Sequence, residues 1–214
     1  MGGSCYNDDR RDLLVVGNHC VNNCFPEHGG CASAIKEKVD VRCELRPEMP
    51  DKAIPDTLNT VNEFVEITTN KGNSAFLYTP DMFNDFYFNN VLSQLPNRNG
   101  NTYIAINGCV RTFADRVGDN WQLLYDKGVR EVWLGVESGD PKMRKVYNKP
   151  AFSNQEIAAI TVKGRENGIN ICWFLVECEG DTDVTKLQTY SLLKEAQPYR
   201  FHISGAERCV PKEQ

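Results

Sequence analysis

Six short apolar runs, bounded by turn-forming or polar residues, recur along the chain, and a stretch carrying helix start or stop signals separates each from the next. The runs span residues 13–16, 64–68, 102–106, 132–136, 169–176 and 200–204, and each reads as a strand. The helical stretches fall at 55–62, at 80–95 with Met82, Phe86, Phe88, Val91 and Leu92, at 119–127 before Gly128, and at 183–195. Two starts are explicit in the chemistry. Asp140-Pro141 pairs an N-cap with a first-turn proline, and Ser153-Asn-Gln-Glu156 is a capping box opening a helix that ends near Gly168. Strands alternating with helices call for parallel pairing through right-handed crossovers, in either an open doubly wound sheet or a barrel arc. In both, function collects in loops at the C-terminal ends of the strands, where the cysteines, Asn70, Asn107, Glu137 and Glu177 are expected. No repeat or linker divides the 214 residues, so residues 1–214 read as one domain, its first strand and cysteine loop at about 13–31.

A net charge of −5, with both signs interspersed, lacks the basic face that nucleic-acid binding requires. No apolar stretch approaches the roughly 20 residues that span a bilayer, and the first twelve residues are polar where a secretory leader has its apolar segment. These features read as a cytoplasmic protein without a membrane partner. No Gly-x-Gly-x-x-Gly or Walker-type loop follows any strand, so the phosphate-binding signature of a nucleotide domain is missing.

Nine cysteines then need a reason, and their odd number argues against a fully paired disulfide set. In a reducing compartment clustered thiols bind metal or do redox chemistry more often than they form bridges. Cys20, Cys24 and Cys31 cluster within Cys20-Val-Asn-Asn-Cys24-Phe-Pro-Glu-His-Gly-Gly-Cys31, a loop that one proline and two glycines allow to wrap. Three thiolates suit a [4Fe–4S] cluster with one open iron, whereas structural zinc takes four closed ligands. His28 would supply that fourth ligand, so zinc stands as the competitor and iron–sulfur ranks first. Cys172 reads as a small buried hydrophobe.

The run Leu13-Leu14-Val15-Val16 into Gly17-Asn-His-Cys-Val-Asn-Asn-Cys24 resembles the first strand and cluster loop of radical S-adenosylmethionine proteins. A longer stretch, Lys127-Gly-Val-Arg-Glu-Val-Trp-Leu-Gly-Val-Glu-Ser-Gly-Asp-Pro-Lys-Met-Arg-Lys-Val-Tyr-Asn-Lys149, is similar to the fourth-strand segment of the branch holding the elongator-type, methylthiotransferase and cobalamin-dependent members. Residues 41–48 and 174–182 occupy places that pattern predicts, and the resemblance runs from about Leu13 to Ser204. It implies a partial, six-stranded triosephosphate-isomerase-type barrel. It further implies that Cys20, Cys24 and Cys31 hold a [4Fe–4S] cluster whose open iron chelates S-adenosylmethionine, which one electron cleaves to a 5′-deoxyadenosyl radical.

By the same resemblance Glu137 would bond the ribose hydroxyls and Lys149 would face the methionine carboxylate. Asn70 and Asn107 would meet other polar groups of the cofactor, and Phe25 would lie near the adenine. Each has a plainer rival: Glu137 as a solvated loop carboxylate, Lys149 as a surface lysine, Phe25 as a packing ring. For Asn70 and Asn107 the ordinary turn role ranks first. An external flavodoxin- or ferredoxin-like electron donor is implied, and a cobalamin would have to come from a partner, since no cobalamin-binding domain stands in the chain. Methylation, methylthiolation and carbon-skeleton rearrangement all fit.

The chain also departs from the pattern. Glu27 stands three residues after Cys24, where the third cysteine is usual, and Cys31 follows four residues later. Either the loop carries a short insertion, or Glu27 or His28 substitutes as a ligand. After the second strand Thr69-Asn-Lys-Gly72 replaces the glycine-glycine-glutamate motif, and after the fifth only Gly180 and Thr182 keep the glycine and Pro-Gly-Glu-Thr pattern. The alternative to an enzyme is a catalytically degenerate or zinc-bound α/β binding module on the same scaffold.

Overall fold

The computed structural model describes residues 10–17, 53–98, 100–147, 149, 152–178 and 180–206. The elements in chain order are β1 (Arg11–Val15), α1 (Ala53–Asn70), β2 (Ser74–Tyr78), α2 (Asp85–Asn90), a 3-10 turn (Leu92–Gln94) and β3 (Ile104–Cys109). There follow α3 (Val110–Val117), α4 (Trp121–Asp126), β4 (Val129–Glu137), α5 (Pro141–Val146), α6 (Asn154–Glu166), β5 (Asn170–Cys178), α7 (Asp183–Ala196) and β6 (Arg200–Ala206). All six strands are parallel and lie side by side in the order of the chain. That order decides between the two sequence-level alternatives. A doubly wound sheet must reverse its strand order at a switch point to place helices on both faces. Unbroken order with crossovers of one hand puts every helix on one face, and the sheet curls into a half-barrel, a partial triosephosphate-isomerase-type barrel.

The large core lies between the outer face of this arc and its helices. Leu14, Leu77, Ile106, Leu134 and Trp173 from the strands meet Val61, Phe113, Leu124, Ile157 and Leu192 from the helices. A smaller apolar set on the concave face, Phe76, Ala105, Trp133 and Cys172, is equally buried. Beneath it, toward the strand N-termini, Glu131 closes the arc with a polar layer. Arg11 Nη2 lies 2.9 Å from Glu131 Oε1, Tyr103 Oη donates to Oε2 at 2.8 Å, and Trp133 Nε1 donates to Oε1 at 2.5 Å. Arg11 also lies over the Phe76 ring. A buried carboxylate is tolerable here because three donors converge on it.

Residues 64–68, expected as the second strand, are helical. Their β-branched content suggests a strand, but Thr57, Val61, Val65 and Thr68 are all buried, at a spacing that lines one face of α1. Tertiary burial outweighs propensity there. The stretch read as a loop, 69–73, closes that helix: Asn73 N donates to Thr68 O and Gly72 N to Thr69 O, with Gly72 at φ +75°. These are the two bonds of a Schellman motif, which needs the left-handed residue that glycine supplies. The second strand is Ser74–Tyr78, and its Ala75, Phe76 and Leu77 are buried. The single helix expected over 80–95 is the short α2 and a 3-10 turn, and α3, directly after β3, had no start signal in the sequence. The two capping expectations hold. Asp140 accepts from Lys142 N with Pro141 in the first turn, and Ser153 and Glu156 form the reciprocal box that opens α6.

Candidate functional site

β4 carries a bulge at its C-terminal end. Gly135 pairs with Phe174 and Glu137 with Leu175, so Val136 is the extra residue. Bulges re-aim side chains where they occur, and here Glu137 takes φ +65° with Ser138 N donating to Val136 O at 2.8 Å. A positive φ at a glutamate is a strained backbone that its surroundings must hold. Glu137 is 9% exposed. Its Oε1 lies 3.0 Å from Lys149 Nζ, and both side chains are largely covered. Space for this pair exists because residue 135 is glycine. A Cβ there would fall 2.6 Å from Glu137 Oε1 and 3.6 Å from Lys149 Nζ.

Twelve positions separate Glu137 from Lys149, and α5 brings the chain back. Asp140 and Pro141 start the helix, it ends after Val146, and Lys149 N donates to Arg144 O at 2.9 Å. A void of about 10 Å³, the space of one water molecule, lies beside the pair, with Cys109, Gly135, Arg144, Lys149 and Phe152 among its lining. Burial pushes the Cys109 thiol up from its ordinary range, and the Lys149 charge partly offsets this. This buried cysteine at the end of β3 had no distinguishing signal in the sequence.

Asn107, also at the C-terminal end of β3, is buried and latches the end of β2. Its Nδ2 donates to Thr79 O at 2.5 Å, and its Oδ1 accepts from Thr79 N at 3.3 Å. Asn70 lies elsewhere. It is the last residue of α1, exposed, and precedes β2, at the opposite end of the arc from Glu137. The expectation that it ends the second strand is corrected with that strand. The segment that does follow β2 is Thr79-Pro80-Asp81, so the glycine pair is missing there but a carboxylate is present. Asp81, 1% exposed, accepts from Phe83 N, Cys109 N and Thr112 Oγ1 and so fixes the loop to the start of α3. A proline followed by an aspartate was its only sequence signal, and it read as a helix start. Glu177 pairs with Lys186 on α7.

Cys20, Cys24, Cys31 and Phe25 lie outside the described residues. Among the described residues, no three His, Cys, Asp or Glu side chains are grouped to hold a metal. No helix among them is long and apolar enough to cross a membrane.

No family model matches the sequence, and no curated protein matches it. Solved structures do. The radical S-adenosylmethionine methyltransferase TsrM from Kitasatospora setae, with tryptophan substrate and the analogue aza-SAM bound, superposes with a TM-score of 0.63 over 93% of this chain at 13% identity. The fold is that of the radical S-adenosylmethionine enzymes. Coproporphyrinogen III oxidase (HemN) from Escherichia coli, a radical SAM enzyme, gives a TM-score of 0.58 over 91% of the chain at 16% identity. Methylornithine synthase (PylB) gives 0.54 over 98% at 12% identity. The chain spans 36% of the TsrM chain, 44% of HemN and 59% of PylB. The barrel arc implied by the sequence resemblance is therefore the observed fold.

Proposed function

We propose that this chain is the core of a radical S-adenosylmethionine enzyme, with a [4Fe–4S] cluster on Cys20, Cys24 and Cys31 and the cofactor held in part by Glu137 and Lys149. The observation that carries the reading is the covered Glu137–Lys149 pair at the C-terminal end of β4, the rim where parallel α/β arcs bind ligands. The donor set suits the group. A carboxylate accepts from hydroxyls and an ammonium donates to a carboxylate, which are the partners that a ribose and a methionine carboxylate require. Three clustered thiols suit a cluster with one open iron.

When bound, the cluster supplies the electron for reductive cleavage of S-adenosylmethionine to a 5′-deoxyadenosyl radical. The protein's part is to bind and shield. Glu137 accepts from the ribose hydroxyls, and Lys149 donates to the methionine carboxylate. The backbone bulge sets the direction of Glu137 before the cofactor arrives. Phe76, Trp133 and Phe174 form an apolar wall on the concave face, with the Trp133 and Phe174 rings 4.9 Å apart, and such a wall keeps water from reactive species. Reduction would come from a flavodoxin- or ferredoxin-like protein in the cytoplasm.

Electron paramagnetic resonance of the anaerobically reconstituted, dithionite-reduced protein tests this. A reduced four-iron signal that changes when S-adenosylmethionine is added supports the reading. Zinc near one per chain with no cluster signal overturns it in favour of a binding module. Cys31→Ala should abolish the signal and Cys43→Ala should leave it intact; the reverse result moves the third ligand to Cys43.

A further inference from the structure

The connection from β4 to α6 holds one buried cation that the cofactor reading does not use. Arg144, on α5, is 4% exposed. Its Nη1 donates to Ser138 O at 2.6 Å and to Asn154 Oδ1 at 2.9 Å, and its Nη2 donates to Phe152 O at 2.7 Å. Its own carbonyl accepts from Lys149 N at 2.9 Å. A single residue thus bonds the carbonyl of Ser138, which follows the strained Glu137, the backbone of Lys149, the carbonyl of Phe152 just before α6 and the side chain of Asn154, the first residue of α6. Asn154 completes the brace from the other side, donating through Nδ2 to Gly139 O at 2.9 Å.

We propose that Arg144 is a positioning residue: its guanidinium ties the two ends of the 138–154 connection together and thereby holds Lys149 Nζ against the Glu137 carboxylate. The physical grounds are three. The turn at Glu137 is strained at φ +65° and persists only if neighbouring bonds over-determine it. Two of the acceptors are backbone carbonyls already fixed in direction and the third is the Asn154 amide oxygen, and a planar guanidinium can address all three at once. Lysine is a poor replacement, because the three acceptors are divided between two nitrogens of the planar fork and a compact ammonium does not reproduce that spread. The purpose assigned to the brace rests on the proposed cofactor role of Glu137 and Lys149; its geometry does not.

The test is the chemical reactivity of Lys149 in the full chain, read by mass spectrometry after brief treatment with an N-hydroxysuccinimide acetate and referenced to the exposed Lys71. Glu137→Gln calibrates a broken pair. Arg144→Met and Arg144→Lys should each raise Lys149 acylation on the order of tenfold, toward the Glu137→Gln value, as expected for losing a charge-assisted hydrogen bond in a covered pair. A merely structural arginine would lower the unfolding midpoint without changing Lys149 in the folded fraction. A folded Arg144→Lys protein whose Lys149 rate stays within about twofold of wild type overturns the proposal. Should neither variant fold, Asn154→Ala removes one partner of Nη1, and an unchanged Lys149 rate there overturns it equally. Affinity for S-adenosylmethionine is measured separately in the same proteins. A wild-type protein that binds none sinks the cofactor reading, while Lys149 reactivity still decides the brace.

Discussion

Replacing Gly135 by alanine separates fold from site. Gly135 sits in a strand with no positive φ, so alanine is compatible with its backbone and, by restricting the unfolded chain, would ordinarily stabilise by about 0.4–1 kcal/mol. The added Cβ, however, falls 2.6 Å from Glu137 Oε1, against an ordinary contact of about 3.4 Å. The nearest obstruction is the far end of a side chain, so the carboxylate yields by roughly 0.8 Å and leaves the backbone in place. That shift takes Oε1 from its 3.0 Å contact with Lys149 Nζ and removes it from where a ribose would be met. Losing a charge-assisted hydrogen bond of a covered pair costs about 1.5–3 kcal/mol, so against that gain net stability should fall by about 0.5–2.6 kcal/mol. Affinity for S-adenosylmethionine should fall about tenfold, approaching that of Glu137→Ala, although the carboxylate is still present. Urea unfolding and equilibrium binding by calorimetry measure the two quantities. Undiminished affinity in Gly135→Ala alongside a clear loss in Glu137→Ala would falsify the cradle.

Gly139→Ala should behave differently, because its Cβ would meet the Thr189 Cα and N and the Gln188 carbonyl at 2.5–2.6 Å, and backbone cannot step aside. A loss of about 2 kcal/mol or more in urea unfolding is expected, and a change under about 0.5 kcal/mol would show that α7 is free to move. Glu131→Gln leaves Arg11 buried without its counter-charge, so a loss of about 3 kcal/mol is expected, with altered Trp133 fluorescence at the base of the arc. Tyr103, whose phenol is pushed up by burial and by the Glu131 charge, should stay neutral in an ultraviolet titration until the protein unfolds at alkaline pH. Ser153→Ala should cost about 1 kcal/mol as a lost cap. The Glu156 carboxyl is held below its usual range by bonds from Ser153, so this linked stability is present above the unfolded carboxylate value and lost as pH falls through the folded one. The difference between wild type and Ser153→Ala should therefore shrink on acidification, and a difference that grows would contradict the assignment.

The elements legible in the sequence are those whose signals are local. Asp140-Pro141 and Ser153 to Glu156 name their helix starts because a cap satisfies amide groups within three residues of itself. β4 and β5 are legible because a strand buried on both faces reads as a continuous apolar run. Residues 64–68 misled because valine, isoleucine and threonine favour strands when nothing else decides, and here α1 buries Val61, Val65 and Thr68. The same displacement carried Asn70 to the wrong end of the arc and hid Asp81, which follows the true second strand.

Alternation of strand and helix, the cysteine loop and the 127–149 stretch belong to the sequence alone, because each depends on residue type and spacing along the chain. Closure as an arc was not decidable there: the same alternation serves an open sheet, and only the unbroken order of β1 to β6 distinguishes them. Nor could spacing show that Glu137 meets Lys149, that Gly135 makes room for them, or that Arg144 braces both. Those relations depend on a bulge, a positive φ and a return through α5, which are set by packing against strands far away in the chain.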